Sequence, residues 1–370
     1  MDFSAVILAA GYSSRMGVPK PLLPVGQRPA LYRAASTFRD AGIRDIIIVT
    51  GSWRREIEKF AGKELEFAKI VYNARFDDGM FSSVLAGVNA LPRGTDGFFL
   101  LPADICCISA DTISLLLSKF TETGGNAVLY PVSDGVRGHP PLIPGGFVEG
   151  LRDFSGDGGM KAYLEKFPSA ELEINDAGIR LDMDTPADYA KLLKYAGLPA
   201  FPDEAACDAL CEKYSVPEGI RAHMRLVAET AVKIACFINR HGGMIDTELL
   251  YSASLVHDIM RTEQRHAPAG SRVLLSEGYP EAAELVLHHM ELPEARNREI
   301  SETTILYLAD KLCRNGSIVP LDITKAAVAE RFSGDPEGRD GAVRKIEAAA
   351  SIFAAITEKY GMTFEDVSRG

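Results

Sequence analysis

Two sets of residues in this chain have the types and spacing for chemistry. The first lies in "VILAAGYSSRMGVPKPLLPVG", residues 6–26, where an apolar run gives way to Gly11 and then places Arg15 and Lys20 five residues apart. A side-chain-free turn at a strand end lets backbone N–H groups approach phosphate oxygens, and two nearby cations neutralise a polyphosphate. Neither common phosphate motif is present. Lys20 is followed by Pro21 rather than Ser or Thr, and the glycines lack the spacing of a dinucleotide fingerprint. A strand, a loop and two solvated cations would give the same bare pattern. The second set is His223, the pair His257 and Asp258, His266, the pair His288 and His289, and Asp310. Six of the seven histidines fall between His223 and His289, a concentration that points to metal chemistry. Imidazoles and carboxylates on separate helices can converge on one divalent ion, and the extra histidines permit a second.

The elements that must position these residues differ between the two halves. Along residues 1–195 the apolar runs "FSAVILAA", "RDIIIVTG", "FAKIVYN", "GFFLLPADI" and "NAVLYPV" read as strands. Helical stretches at 29–41, 53–61, 80–91 and 109–123 alternate with them, which predicts a mainly parallel sheet covered by helices. Ligands in such folds gather at the carboxyl ends of the strands. From about residue 203 the strand signal stops. Helical patterns then run over 204–214, 217–241, 246–261, 266–277, 280–290, 299–314, 322–332 and 340–359. The break falls in "AGLPAFPDE", residues 196–204, where two prolines and a glycine interrupt the pattern. The expected domains are therefore 1–197 and 198–370.

Composition agrees with a two-domain globular chain. At 370 residues it exceeds the usual single domain of roughly 100–200 residues, and 46% hydrophobic with 25% charged residues is ordinary for such proteins. The net charge of −11 argues against a nucleic-acid binder, which needs clustered cations. No apolar stretch approaches the roughly 18–20 residues of a membrane span, and Asp2 stands where a secretory signal carries cations, so the expected location is cytoplasmic. The six cysteines show no paired C-x-x-C spacing and read as reduced, mostly buried thiols.

The opening stretch resembles the signature of the nucleotidyltransferases that attach a nucleoside monophosphate to molybdopterin cofactor, particularly the cytidylyltransferase branch. Five further stretches continue the likeness in order: "NARFDDGMFSSVLAGVNAL", "FFLLPADI", "GHPPLI", "GDGGMKAYL" and "LDMDTPADY", together covering nearly all of residues 3–193. The resemblance implies a Rossmann-like α/β domain in which Gly11, Arg15 and Lys20 hold the triphosphate of CTP. It also implies that Asp104 binds Mg2+, with Asp184 as the second carboxylate and Asp182 as its alternative. Attack of one phosphate on another joins two anions, so carboxylate-held divalent cations and the Lys and Arg side chains are what such chemistry requires. For Asp184 a helix-capping role is also open, since "DTPAD" has the residues of a helix start. The resemblance places Ser82 and Ser83 near the nucleotide, although a helix cap fits them too. Ala10 stands where the related guanylyltransferases have glycine, which implies a preference for cytosine over a purine. The sequence departs from the family at "PADICC", where a glycine before the aspartate and a proline two residues after it are usual.

The order H…HD…H…H…D resembles the HD-domain metal-dependent phosphohydrolases, and "GIRAHMRLVAETAVKIA", "LLYSASLVHDIMR" and "ILYLADKLCR" resemble that family's helices over residues 204–316. The resemblance implies an all-α domain with His223, His257, Asp258 and Asp310 at a primary ion. His266 and His288 are assigned to a second ion, with His289 replacing His288 if the helix is rotated. A transition metal such as Mn2+, Fe2+ or Ni2+ suits this nitrogen-rich set. Arg261 and Lys311 are phosphate candidates or exposed helix cations, and His241 reads as a helix-terminal residue. The amphipathic stretch beyond residue 320 reads as a helix packed on this domain, or a dimer contact. The two resemblances together imply a bifunctional enzyme that transfers CMP from CTP to molybdopterin cofactor, with a molybdenum hydroxylase as candidate recipient, and that hydrolyses a phosphate bond. Another phosphorylated acceptor, or a second half that senses nucleotides, would be compatible with the same residues.

Overall fold

The computed structural model describes residues 1–293, 296 and 299–369. The chain divides into two compact units, Met1–Leu198 and Pro199–Gly370.

In the first unit the β-branched and aromatic runs form an eight-stranded mixed sheet. Its path is Ser169–Glu173, Val128–Ser133, Leu142–Pro144, Gly97–Pro102, Phe3–Ala9, Asp45–Thr50 and Lys69–Tyr72, with the short Val136–Arg137 strand paired to Val128–Ser133. The pairs that flank Phe3–Ala9 are parallel, whereas Leu142–Pro144 runs antiparallel to both its neighbours. Sequence patterning finds the longer strands but not Leu142–Pro144 or Ser169–Glu173, which are too short or too polar to carry a period.

Alternation along the strands sends Val6, Ile47, Val49, Phe98 and Leu100 to one face, where Val84 and Val88 of the Met80–Val88 helix cover them. Helices Ala30–Asp40 and Ala110–Glu122 bury Leu31, Phe38, Leu116 and Phe120 elsewhere in the core. Chain order reverses beside the first strand: the path runs outward through Asp45–Thr50 and Lys69–Tyr72, then returns to Gly97–Pro102 on the other side. The ends of Phe3–Ala9 and Gly97–Pro102 therefore flank a topological switch point, where a crevice opens. Gly51 fixes one wall, because a Cβ there would lie 2.4 Å from the Ala10 carbonyl oxygen. Larger residues at position 51 are expected to displace the loop that begins at Ala10.

Among its described residues the second unit is helical except for one two-stranded hairpin, Cys313–Arg314 with Ser317–Ile318. Its turn is Asn315–Gly316, both at positive φ, as a tight hairpin requires. The Glu302–Leu312 helix is buried without interruption from Thr303 to Ala309, so it forms the axis of this unit. Glu218–Arg240 and Pro336–Tyr360 both pack on it. The Pro336–Tyr360 helix contributes Ile346, Ala349, Ile352 and Ile356 to the core. The predicted 246–261 helix ends earlier, at Val256, and turns carry the chain through His257 and Asp258. Among the described residues no helix is long and apolar enough to cross a membrane.

Candidate active sites

The switch-point crevice holds a cavity of about 370 Å³ lined by Ala10, Gly11, Ser13, Lys20, Ser83 and Asp104, among others. Lys20 begins a short 3-10 turn after the loop, and its backbone N–H donates to Ser13 Oγ at 3.1 Å. Its ammonium lies between two carboxylates, donating to Asp184 Oδ1 at 2.6 Å and to Asp104 Oδ2 at 3.4 Å. Arg15 donates to the other oxygen of Asp184 at 3.1 Å. Residues from three separate stretches of the sequence thus meet at one point. Asp104 follows the buried strand Gly97–Pro102, and burial raises its carboxyl pKa even though the Lys20 charge opposes this. Asp184 precedes Thr185, which caps the Pro186–Tyr195 helix in a capping box, and the Lys20 hydrogen bond lowers its pKa. Asp184 is therefore beside the cap, not the cap itself. Asp182 is close enough to Asp104 to raise that carboxyl's pKa.

Both carboxylates already converge on a single cation, the Lys20 ammonium, so this donor set fits a divalent ion. The space beside Gly11 fits an incoming ligand as well, because a Cβ there would meet no atom within 4 Å. Ser83 is buried in the cavity wall, where Asn73 donates to its hydroxyl at 3.0 Å. For Ser82 the hydrogen bonds favour the helix-start alternative: its hydroxyl donates to the Arg75 and Gly79 carbonyls and accepts from Asn73, so it braces the start of the Met80–Val88 helix. His139 is a residue that the sequence reading passed over. It lies near Asp104 and Asp182, burial lowers its pKa, and its Nδ1 is buried without a hydrogen-bond partner. Its presence in "GHPPLI" was the available signal.

Among the described residues of the helical unit, two groups of donor atoms each lie within 4.8 Å of one another: His223, His257 and Asp258, and then Asp258, His266 and His289. Asp258 belongs to both. Asp310 adjoins the first group, with Oδ1 at 3.1 Å from His223 Nε2 and 3.6 Å from His257 Nε2. In the second group, Asp258 Oδ1 lies 3.3 Å from His266 Nε2 and 3.4 Å from His289 Nε2. Between the two neighbours the geometry favours the alternative: His288 faces Glu284 at 3.5 Å, while His289 is fully buried and belongs to the second donor group. The Pro280–His288 helix buries Ala282, Leu285 and Val286, and His289 continues that face.

His257 Nε2, Asp258 Oδ1 and His289 Nε2 are all buried without hydrogen-bond partners. Leaving such atoms unsatisfied costs roughly 1–3 kcal/mol each, and three in one place fit a bound cation. The remaining ring nitrogens are fixed, with Nδ1 of His257 and His289 held by the Ser254 and Val286 carbonyls at 2.7 Å each. That arrangement aims Nε2 inward. Burial pushes His266 down to about 4 and lowers His289 too, which favours the neutral form that ligates a metal. Burial pushes the Asp258 and Asp310 carboxyls up, yet His257 beside the first and Lys311 beside the second help to hold both below the usual carboxylate range.

Arg261 stands at the rim, half-exposed, 3.0 Å from His266 Nε2. Lys311 instead turns inward to Asp310 Oδ2 at 2.5 Å and the His289 carbonyl at 3.1 Å, so it braces the centre. His241 caps the Glu218–Arg240 helix, exposed and bonded to the Phe237 carbonyl.

The family described as MobA-like NTP transferase domain matches residues 5–172. A relative named nicotine blue oxidoreductase, from Paenarthrobacter nicotinovorans, is 30% identical over 198 residues, covering 51% of this chain and 96% of that protein. The chain belongs to the MobA-like NTP transferase family. An HD domain matches residues 220–315, the span of the histidine centre. The molybdenum cofactor cytidylyltransferase of Escherichia coli (strain K12) is 29% identical over 192 residues, covering 50% of this chain and 92% of that protein. A solved structure from Mycobacterium sp. strain JC1, a homologue of a Mycobacterium tuberculosis protein, is 26% identical. It covers 53% of this chain and 96% of its own, with a TM-score of 0.45. The chain is thus a nucleotidyltransferase with an HD phosphohydrolase-type domain.

Proposed function

We propose that the first unit transfers CMP from CTP to molybdopterin cofactor and releases pyrophosphate, while the second hydrolyses a phosphoester or phosphoanhydride. The observation that carries the first part is Lys20, which lines the switch-point cavity with Asp104 and is paired with both Asp104 and Asp184. An acceptor phosphate oxygen attacks the α-phosphorus, the bond to the pyrophosphate oxygen breaks, and the negative charge moves onto the leaving group. Lys20 and Arg15 are placed to neutralise that charge. Asp104 and Asp184 would hold Mg2+, which supplies electrostatic stabilisation to the phosphates. Lys20 must then exchange a carboxylate partner for a phosphate oxygen when the nucleotide binds. The Gly11 turn and the Ser83 wall leave room for the nucleotide. A molybdenum hydroxylase is the class of recipient for such a product.

The name of the cytidylyltransferase relative and the charged constellation support this reading over that of the oxidoreductase relative, since the opening loop lacks a dinucleotide fingerprint. Pyrophosphate release is the direct test, with a panel of nucleoside triphosphates in the presence and absence of molybdopterin cofactor. Release that needs a different phosphorylated acceptor would replace the acceptor and keep the reaction. Ala10 is buried against the cavity, so CTP is expected to outcompete GTP. Equal use of the two in a competition assay defeats the cytosine assignment.

For the second unit, His223, His257, Asp258 and Asp310 would hold one divalent transition ion, and Asp258, His266 and His289 a second. Such ions supply Lewis acidity and an activated water for phosphate hydrolysis. Arg261 at the rim is available to a substrate phosphate. His289→Ala is expected to lower the metal content by about one ion per chain, whereas His288→Ala leaves it unchanged, as read by elemental analysis. Equal losses in the two variants would return His288 to the centre. A site that holds metal but turns over no phosphate ester would favour a nucleotide-sensing role instead.

A further inference from the structure

Asp176 does not line the switch-point cavity, yet it is 7% exposed and both its carboxylate oxygens are hydrogen-bonded. Oδ2 accepts from the Ser109 backbone N–H at 3.0 Å and from the Thr112 hydroxyl at 2.6 Å. Oδ1 accepts from the Gly178 backbone N–H at 2.9 Å and from the Tyr195 hydroxyl at 3.1 Å. Burial pushes this carboxyl's pKa up, and the four donors more than reverse that, so it is ionised at neutral pH.

The donors belong to two chain segments. Ser109 and Thr112 start the Ala110–Glu122 helix, at the root of the loop that leaves Asp104. Gly178 lies in the turn Ala177–Arg180, and Tyr195 ends the helix Pro186–Tyr195, so they bracket Asp182 and Asp184 on both sides. A second observation marks the same seam. A Cβ on Gly178 would lie 2.1 Å from the Cys107 carbonyl oxygen, so the two segments touch through backbone at a point where only glycine fits. One charge and one close backbone contact thus join the root of the Asp104 loop to the segment carrying Asp184.

We propose that Asp176 and Gly178 form a positioning seam that sets the separation of Asp104 and Asp184, and with it the affinity of that carboxylate pair for its divalent ion. The inference rests on the reading of these two aspartates as the metal pair. Asp176→Asn replaces one acceptor oxygen by an N–H2 group facing donors, so the two segments separate without loss of the sheet core. Residues that orient metal ligands typically change affinity by 10- to 100-fold when altered.

The test compares wild type, Asp176→Asn and Gly178→Ala in the full-length protein. Mg2+ is titrated in the pyrophosphate-release assay, and amide hydrogen exchange is followed separately. Both variants are expected to raise the half-saturating Mg2+ concentration by about tenfold or more, with a change below about threefold in the rate at saturating Mg2+. Exchange should accelerate together in residues 105–109 and 177–184, and little in the strands. A merely structural carboxylate would lower the melting temperature and the rate while leaving Mg2+ half-saturation where it is, and that result overturns the seam. Unchanged exchange in the two segments overturns it equally. If the wild type released no pyrophosphate with any nucleotide, the proposed reaction would fail, while the exchange comparison would still decide whether Asp176 joins the two segments.

Discussion

Asp258→Asn is expected to empty the histidine centre and abolish phosphohydrolysis, because this one carboxylate belongs to both donor groups. Its side chain is almost fully buried and lies within 4 Å of His257, His266 and His289. An asparagine has nearly the same volume, so packing is kept while the negative charge is lost. The remaining imidazoles would then have to hold divalent cations in a buried setting without that charge, and burying cationic charge without compensation is costly. Elemental analysis should find metal content reduced at both positions, and hydrolysis should fall by about a hundredfold or more, in line with removal of a metal's charge and activated water. His241→Ala, an exposed helix-end residue, serves as the matched control and should change neither. Retention of two ions per chain by Asp258→Asn, with circular dichroism unchanged, would remove Asp258 from the centre.

How much of this was legible in the sequence differs from residue to residue. The strand runs around Phe3–Ala9 and Gly97–Pro102 are long and apolar, so they announce both themselves and the chemistry that follows each one, at Gly11 and Asp104. The H…HD…H…H…D order survives because each ligand sits on or beside its own helix, and order along the chain is all that a sequence displays. Side-chain direction is harder. His288 and His289 are neighbours, and choosing between them requires the helix phase. Ala282 and Val286 point inward, and His289 falls seven and three residues later on the same stripe, so the phase of this helix decides between the two.

Ser82 and Ser83 pose the same problem at a helix start, where one hydroxyl is spent on backbone carbonyls and the next enters the cavity wall. Asp176 was illegible for a different reason. Its partners lie 67, 64, 2 and 19 residues away, and nothing in "INDAG" distinguishes a carboxylate that joins two loops from an ordinary turn residue.

The complementary variant, Asp104→Asn, should lower nucleotidyl transfer by about a thousandfold and leave hydrolysis near its wild-type rate. Asp104 stands at the end of a buried strand, and burial raises its carboxyl pKa against the opposing charge of Lys20, so it is the more desolvated member of the carboxylate pair. Losing its charge removes half the anionic donor set for the divalent ion at the point where two phosphates must be brought together, and electrostatic terms of this kind dominate phosphoryl-group transfer. Lys20 would keep only Asp184, whose hydrogen bond at 2.6 Å then holds the ammonium away from the leaving group.

The expectation that hydrolysis survives has its own physical basis. Each unit has a separate buried core, Val6, Val49, Phe98 and Leu100 in one and Val227, Ile305, Leu306 and Ile352 in the other. The two donor sets lie in different units, each with its own core, so independence of the two sites is the expectation to be tested. Measuring both reactions in both purified variants gives four rates, and independence predicts loss of transfer alone in Asp104→Asn and loss of hydrolysis alone in Asp258→Asn. If Asp258→Asn abolished transfer as fully as Asp104→Asn, with folding unchanged, the two sites would share a coupling free energy, and occupancy of the metal centre would control nucleotidyl transfer.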